Sequence, residues 1–160
     1  PSTHYCTRPK AAQTMPTAPD ASTPSTQPAS RPPSSPSSRF WADWTTDDFA
    51  QLRVSGAAAR TIAVLPVAAT EQHGPHLPLS VDTVIVDGIV AAALRQLPAD
   101  LPVLVLPTQS TGLSPEHARF PGTLTLKNET ILRLWTDIAE CVAATGVSKL
   151  VPALTCWSTA

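Results

Sequence analysis

The stretch Glu71-Gln72-His73-Gly74-Pro75-His76-Leu77-Pro78-Leu79-Ser80-Val81-Asp82 decides how this chain is read. It gathers two carboxylates and two imidazoles in a chain of 160 residues that has only four histidines and twelve acidic side chains. An apolar run from Ile62 to Val67 leads into it and predicts a buried strand. Glu71 and His73 then lie just past the carboxyl end of that strand. In extended backbone, residues two apart point to the same side, roughly 7 Å from one another, so both side chains can face one pocket. Gly74 permits a sharp turn, Pro75 and Pro78 hold the following loop extended, and Asp82 arrives where a helical pattern begins. A Glu, a His and an Asp meeting there make an oxygen and nitrogen site for a divalent metal such as Zn or Mn. Other readings stay open at this level. A Glu-x-His after a strand can be a solvated loop, Asp82 can cap the next helix, and His76 can be a loop residue packed on Leu77 or Leu79.

Past this stretch the apolar period changes. Ile85, Ile89, Ala92, Ala93 and Gln96 fall at helical spacing with Val86, Val90 and Leu97 beside them, which predicts a helix over residues 82–97 packed on a sheet, ended by Pro98. Val103 to Leu106 is a second short strand closed by Pro107. Strand, helix and strand of these lengths predict a parallel unit, and ligands of such sheets gather beyond the carboxyl ends of the strands. The loop over residues 108–125 leaves the second strand at that same edge and is long enough to suggest function. A second helix runs from Asn128, as its cap, to about Thr145, with Ile131, Trp135, Ile138 and Val142 as its buried stripe and Gly146 as a left-handed cap. Cys141 reads as a small buried apolar residue beside that stripe, and residues 147–153 as a third strand.

Two separated motifs, in order, make the chain resemble the creatininase (creatinine amidohydrolase) family of metal-dependent amidohydrolases. They are Glu71-Gln72-His73-Gly74-Pro75-His76-Leu77-Pro78 with Asp82, and Gly112-Leu113-Ser114-Pro115-Glu116-His117 with Phe120-Pro121-Gly122-Thr123; Trp44-Thr45 and Leu65-Pro66-Val67 support them. The resemblance covers about residues 40–151 and looks like the amino-terminal half of a family member. It implies a three-layer α/β domain with a mostly parallel sheet, here truncated. It implies Glu71, His73 and Asp82 as metal ligands, the Asp bridging two ions, Zn or Mn. It implies hydrolysis of a non-peptide, cyclic amide in a homo-oligomer, and it places Glu116 and His117 near the pocket without making them ligands. The family's next motif, Asn-x-His-Gly-Gly-Asn or a close variant, is not in this sequence, so the proton-transfer residue is expected to be missing. The alternative expectation is a catalytically inactive fragment acting, if at all, by subunit association through an exposed sheet edge.

The rest of the chain fits around this domain, with expected boundaries at 1–39 for a tail, 40–153 for the partial domain and 154–160 for a divergent end. Residues 1–39 hold nine of the eighteen prolines and no glycine, among Ser, Thr and Ala, and read as a disordered segment. The tail is Ser-rich and acidic-poor like a transit peptide, yet it lacks an amphipathic period; as a Pro-rich adaptor it is a weaker idea. The first methionine is Met15, so either translation starts there or the chain is a piece of a longer one. Shifting the codons of residues 155–160 by two bases permits an apolar stretch compatible with the missing motif, and a frameshift or misread junction is the expectation for that end.

The domain opens with Trp41, Trp44 and Phe49 as packing aromatics, and Thr45 or Thr46 capping a helix whose first turn carries Asp47 and Asp48. Residues 53–60 read as a loop. The tail carries a charge of +3 and the remainder −4, without a basic stripe for nucleic acid. No stretch has the length of a membrane span. Cys6, Cys141 and Cys156 form no metal or redox pair, which points to a reducing, cytoplasmic setting.

Overall fold

The six residues of β1, Ile62–Val67, alternate between two apolar layers, and that alternation sets the architecture. A computed structural model describes residues 38–154. Apart from their edges, the tail over 1–39 and the divergent end over 154–160 lie outside the described residues. Within them, β1 is the central strand of a parallel sheet ordered β2-β1-β3, where β2 is Val103–Val105 and β3 is Lys149–Leu154. Ala63, Leu65 and Val67 face one layer, which holds Ala58, Leu106, Val142 and Val147, with Trp41, Leu52 and Trp135 packed against it. Ile62 and Val64 join the opposite layer, made of Val86, Val90, Val103 and Val105. The helix α2 (Val81–Gln96) thus covers one face, while α1 (Thr46–Val54) and α3 (Asn128–Ala144) cover the other, which is the expected three-layer α/β arrangement.

Local chemistry agrees with most of the elements. Thr45 caps α1 through a reciprocal capping box with Asp48. Trp41 and Trp44 lie 4.4 and 5.3 Å from the ring centroid of Phe49. On α3, Ile131 and Val142 are buried with Trp135 and Ile138 partly so, and Gly146 just beyond it has φ +93°. Asn128 is the first helical residue of α3; the cap position is Lys127, which makes no side-chain cap bond. The expected loop over residues 53–60 is instead the last turn of α1 followed by a 3-10 turn, Ala57–Arg60.

Two burial expectations are corrected. On α2 the inner row is Asp82, Val86 and Val90, spaced by four, while Ile85 and Ile89 are 46% and 57% exposed. The helix carries apolar residues on several sides, so its rotation follows its first turn, where Asp82 turns inward. Cys141 is exposed, not buried. It sits one position from Val142, and 100° of helical rotation takes it off the stripe.

Beyond β1 the chain is stitched to the long loop that follows β2. The Ala68 amide donates to the Gln109 carbonyl and the Gln109 amide to the Pro66 carbonyl, each at 2.9 Å. The Leu124 amide donates to the Thr70 carbonyl at 2.9 Å, and the Leu126 amide to that of Gly112 at 2.9 Å. A Cβ at Gly112 would lie 2.7 Å from the Ala68 carbonyl oxygen, a backbone atom that cannot rotate away. Gly112→Ala is expected to lower stability by about 1–3 kcal/mol, read as a lower urea midpoint with an unchanged m-value.

Candidate metal centre

The main-chain course after β1 brings residues eleven positions apart into one cluster. The Glu71 amide donates to the Leu79 carbonyl at 3.2 Å, so the loop through Gly74, whose φ is +83°, returns to its own start. Asp82 follows at once in the first turn of α2, near the positive end of the helix dipole. Donor atoms of Glu71, His73 and Asp82 all lie within 4.8 Å of one another. Glu71 and Asp82 are only 3% and 6% exposed, and His73 is half-buried at the mouth. The three residues singled out from the sequence are therefore brought together, beyond the carboxyl edge of the sheet.

The hydrogen bonds say which lone pairs face the cluster. His73 Nδ1 is 3.0 Å from the Glu71 carbonyl oxygen. A carbonyl only accepts, so Nδ1 carries the proton and, in the neutral ring, Nε2 presents a lone pair. That Nε2 is 3.6 Å from Asp82 Oδ1. An acceptor nitrogen and two buried carboxylates sharing one small space form a donor set that a divalent cation fits. Fixing a ligand imidazole through its other nitrogen is also how metal-binding histidines are commonly oriented. His76 is exposed and outside this group.

The loop after β2 contributes the second half of the surroundings. His117 ends the 3-10 turn Pro115–His117, with its Nε2 3.6 Å from Glu71 Oε1 and its Nδ1 3.0 Å from Gln72 Nε2. Glu116, on the same turn, is exposed. Gln72 also anchors the loop through its amide, which donates to Thr123 Oγ1 at 3.2 Å. The sequence reading gave Gln72 no role, because alternation along an extended segment directs it away from Glu71 and His73; the signal was a side-chain amide one residue before His73 and two before Gly74. A cavity of about 430 Å³ lies elsewhere, lined in part by Phe40, Pro66, Asp87, Val90, Leu106 and Thr108, and holds none of these donors.

Comparison with known proteins follows the same stretch. The creatininase family, described as creatinine amidohydrolase, matches residues 42–153. A mycofactocin precursor peptide peptidase of Mycolicibacterium smegmatis is 43% identical over 67 residues, which is 41% of this chain and 27% of that protein. A creatinine amidohydrolase of Pseudomonas putida is 30% identical over 100 residues, 59% of this chain and 37% of that protein. A solved creatininase described as the Mn form superposes with a TM-score of 0.60 at 28% identity, covering 72% of this chain and 44% of that one. A variant of the Zn-Zn type gives a TM-score of 0.59 with the same identity and coverage. The chain thus spans less than half the length of these relatives.

Two negative charges about 5 Å apart repel by roughly 3 kcal/mol at an effective dielectric constant of 20. With metal removed by chelator, Asp82→Asn is therefore expected to raise the thermal midpoint of the chain by a few degrees, measured by circular dichroism. A lowered midpoint would mean that the carboxylate pair is not under electrostatic stress.

Proposed function

The chain belongs to the creatininase family, and from that premise we propose that it carries a metal-binding part of a hydrolase site that cleaves a carbon–nitrogen bond of an amide. The observation that carries this reading is the convergence of Glu71, His73 and Asp82, two of them buried, beyond the carboxyl edge of the sheet. In it, Glu71, His73 and Asp82 would hold a divalent ion, Zn or Mn, through their carboxylates and the Nε2 of His73. When bound, such an ion supplies Lewis acidity toward an amide carbonyl and toward water. The chain's own residues bind and orient: Glu71 and Asp82 bring charge and His73 a neutral donor held by the Glu71 carbonyl. The 108–125 loop, pinned to Thr70 and Gln72, walls the site. In the whole protein this site would turn over its amide within a homo-oligomer in the cytoplasm.

Two substrate classes follow from the relatives. The first is a small, non-peptide, cyclic amide, in keeping with the relative named creatinine amidohydrolase. The second is a peptide amide, favoured by the higher identity of relatives named for a precursor peptide, 43% and 38% against 30%. Among the described residues no helix is long and apolar enough to cross a membrane.

The test is metal content of the purified chain after dialysis against Zn or Mn, beside Glu71→Ala, His73→Ala and Asp82→Ala. Stoichiometric metal in the parent, lost in each variant, is the expected result. A hundredfold excess of ion over its dissociation constant should stabilise the parent by about 2.7 kcal/mol. A folded parent that retains no ion would count against the reading. Creatinine and a short peptide, supplied to metal-loaded protein, then separate the two substrate classes.

A further inference from the structure

The side chain of Gln72 cannot be turned around, and this fixes the proton on His117. The Gly74 backbone amide, which can only donate, lies 3.0 Å from Gln72 Oε1. The other end of that side chain is therefore its NH₂ group, which also can only donate, and its partner 3.0 Å away is His117 Nδ1. His117 Nδ1 must accept. The proton of the neutral ring then sits on Nε2, the nitrogen 3.6 Å from Glu71 Oε1. The hydrogen bonds run one way, from a main-chain N–H through an amide to an imidazole, and the Nε2 of that imidazole faces the buried Glu71 carboxylate at 3.6 Å, a contact longer than a hydrogen bond. The Gln72 backbone N–H donates to Thr123 Oγ1 and the Leu124 N–H to the Thr70 carbonyl, which ties the two loop segments together.

We infer that Gln72 and His117 are a positioning pair that aims the His117 Nε2–H at Glu71 and so orients its carboxylate for metal. The inference rests on the reading of Glu71 as a ligand. A carboxylate has two oxygens and about four lone-pair sites. An N–H directed at one oxygen from the side of His117 favours one orientation of the carboxylate and leaves lone pairs for an ion. His117 is outside the group of converging donor atoms, so its role differs from that of His73. The two histidines have opposite tautomers for opposite purposes: His73 carries its proton on Nδ1 and turns a lone pair to the site, whereas His117 carries its proton on Nε2 and turns a donor to Glu71.

The experiment uses the full chain with Zn or Mn as the probe. Affinity is measured by competition with a chromogenic chelator for the parent, Gln72→Leu, His117→Phe, His117→Gln and the Gln72→Leu/His117→Phe double variant. Gln72→Leu and His117→Phe are each expected to weaken binding by about 10–100-fold. The double variant should lose little more than the worse single one, because both act through the orientation of one imidazole. His117→Gln, which keeps an N–H in reach, should bind closer to the parent. A readout free of metal comes from nitrogen NMR of the imidazole rings: His117 protonated on Nε2 in the parent, and mixed between the two tautomers in Gln72→Leu. Metal uptake by the parent that is indifferent to Gln72→Leu and His117→Phe overturns this inference alone, as does a parent His117 protonated on Nδ1. No uptake by the parent at all overturns both this inference and the metal reading beneath it.

Discussion

Glu71 and Asp82 are two acidic side chains buried side by side, and the rest of the structure is arranged around that constraint. Burying a charge is costly unless it is paired or coordinated, and here two like charges share one space. The fold places them where compensation is available. The first turn of α2 carries Asp82 at the positive end of a helix, and His117 turns its Nε2 toward Glu71 at 3.6 Å. The Glu71–Leu79 main-chain bond closes the loop that forces the acids together. Apolar packing of β1 and α2 sustains this arrangement, since Val86 and Val90 sit one and two turns along the row that begins with Asp82.

The same constraint explains the rotation of α2. A helix with apolar residues on most sides has no single stripe to bury, so packing energy alone does not choose between Ile85–Ile89 and Val86–Val90. Turning Asp82 toward Glu71 and His73 chooses for it, and the isoleucines are left outward. On α3 the choice was made by the sequence itself, because Glu129, Arg133, Asp137 and Glu140 occupy the opposite side. Arg133 and Asp137 even pair with each other, 3.0 Å apart, in the i to i+4 relation.

Much of the frame is legible in the amino-acid sequence. The run Ile62–Val67 announced the central strand, Thr45 or Thr46 ahead of Asp47 and Asp48 the start of α1, and Gly146 the end of α3. The grouping of Glu71, His73 and Asp82 was legible too, since alternation and a turn suffice to bring them to one side. What escaped depended on relations that a linear pattern does not carry. Cys141 turned outward because its neighbour Val142, not the cysteine, lies on the stripe. Gln72 was passed over because alternation assigns it to the far side of its segment, and only the long loop from β2 makes that far side part of the centre. His117 was placed near the pocket by resemblance, but its tautomer follows from bonds to a main-chain amide that no sequence period encodes.

The parallel sheet has a further consequence in the order of chain assembly. Ile62 pairs with Lys149, a separation of 87 residues, so closing the sheet gathers distant parts of the chain before strand pairing repays the lost entropy. The donor trio, by contrast, lies within a dozen residues and needs only β1, one turn and the start of α2. Its local geometry is set by short-range contacts, while the wall supplied by His117 waits on docking of the loop after β2. A chain with a frayed sheet would thus lose the imidazole beside Glu71, and closure of the sheet is what completes the centre.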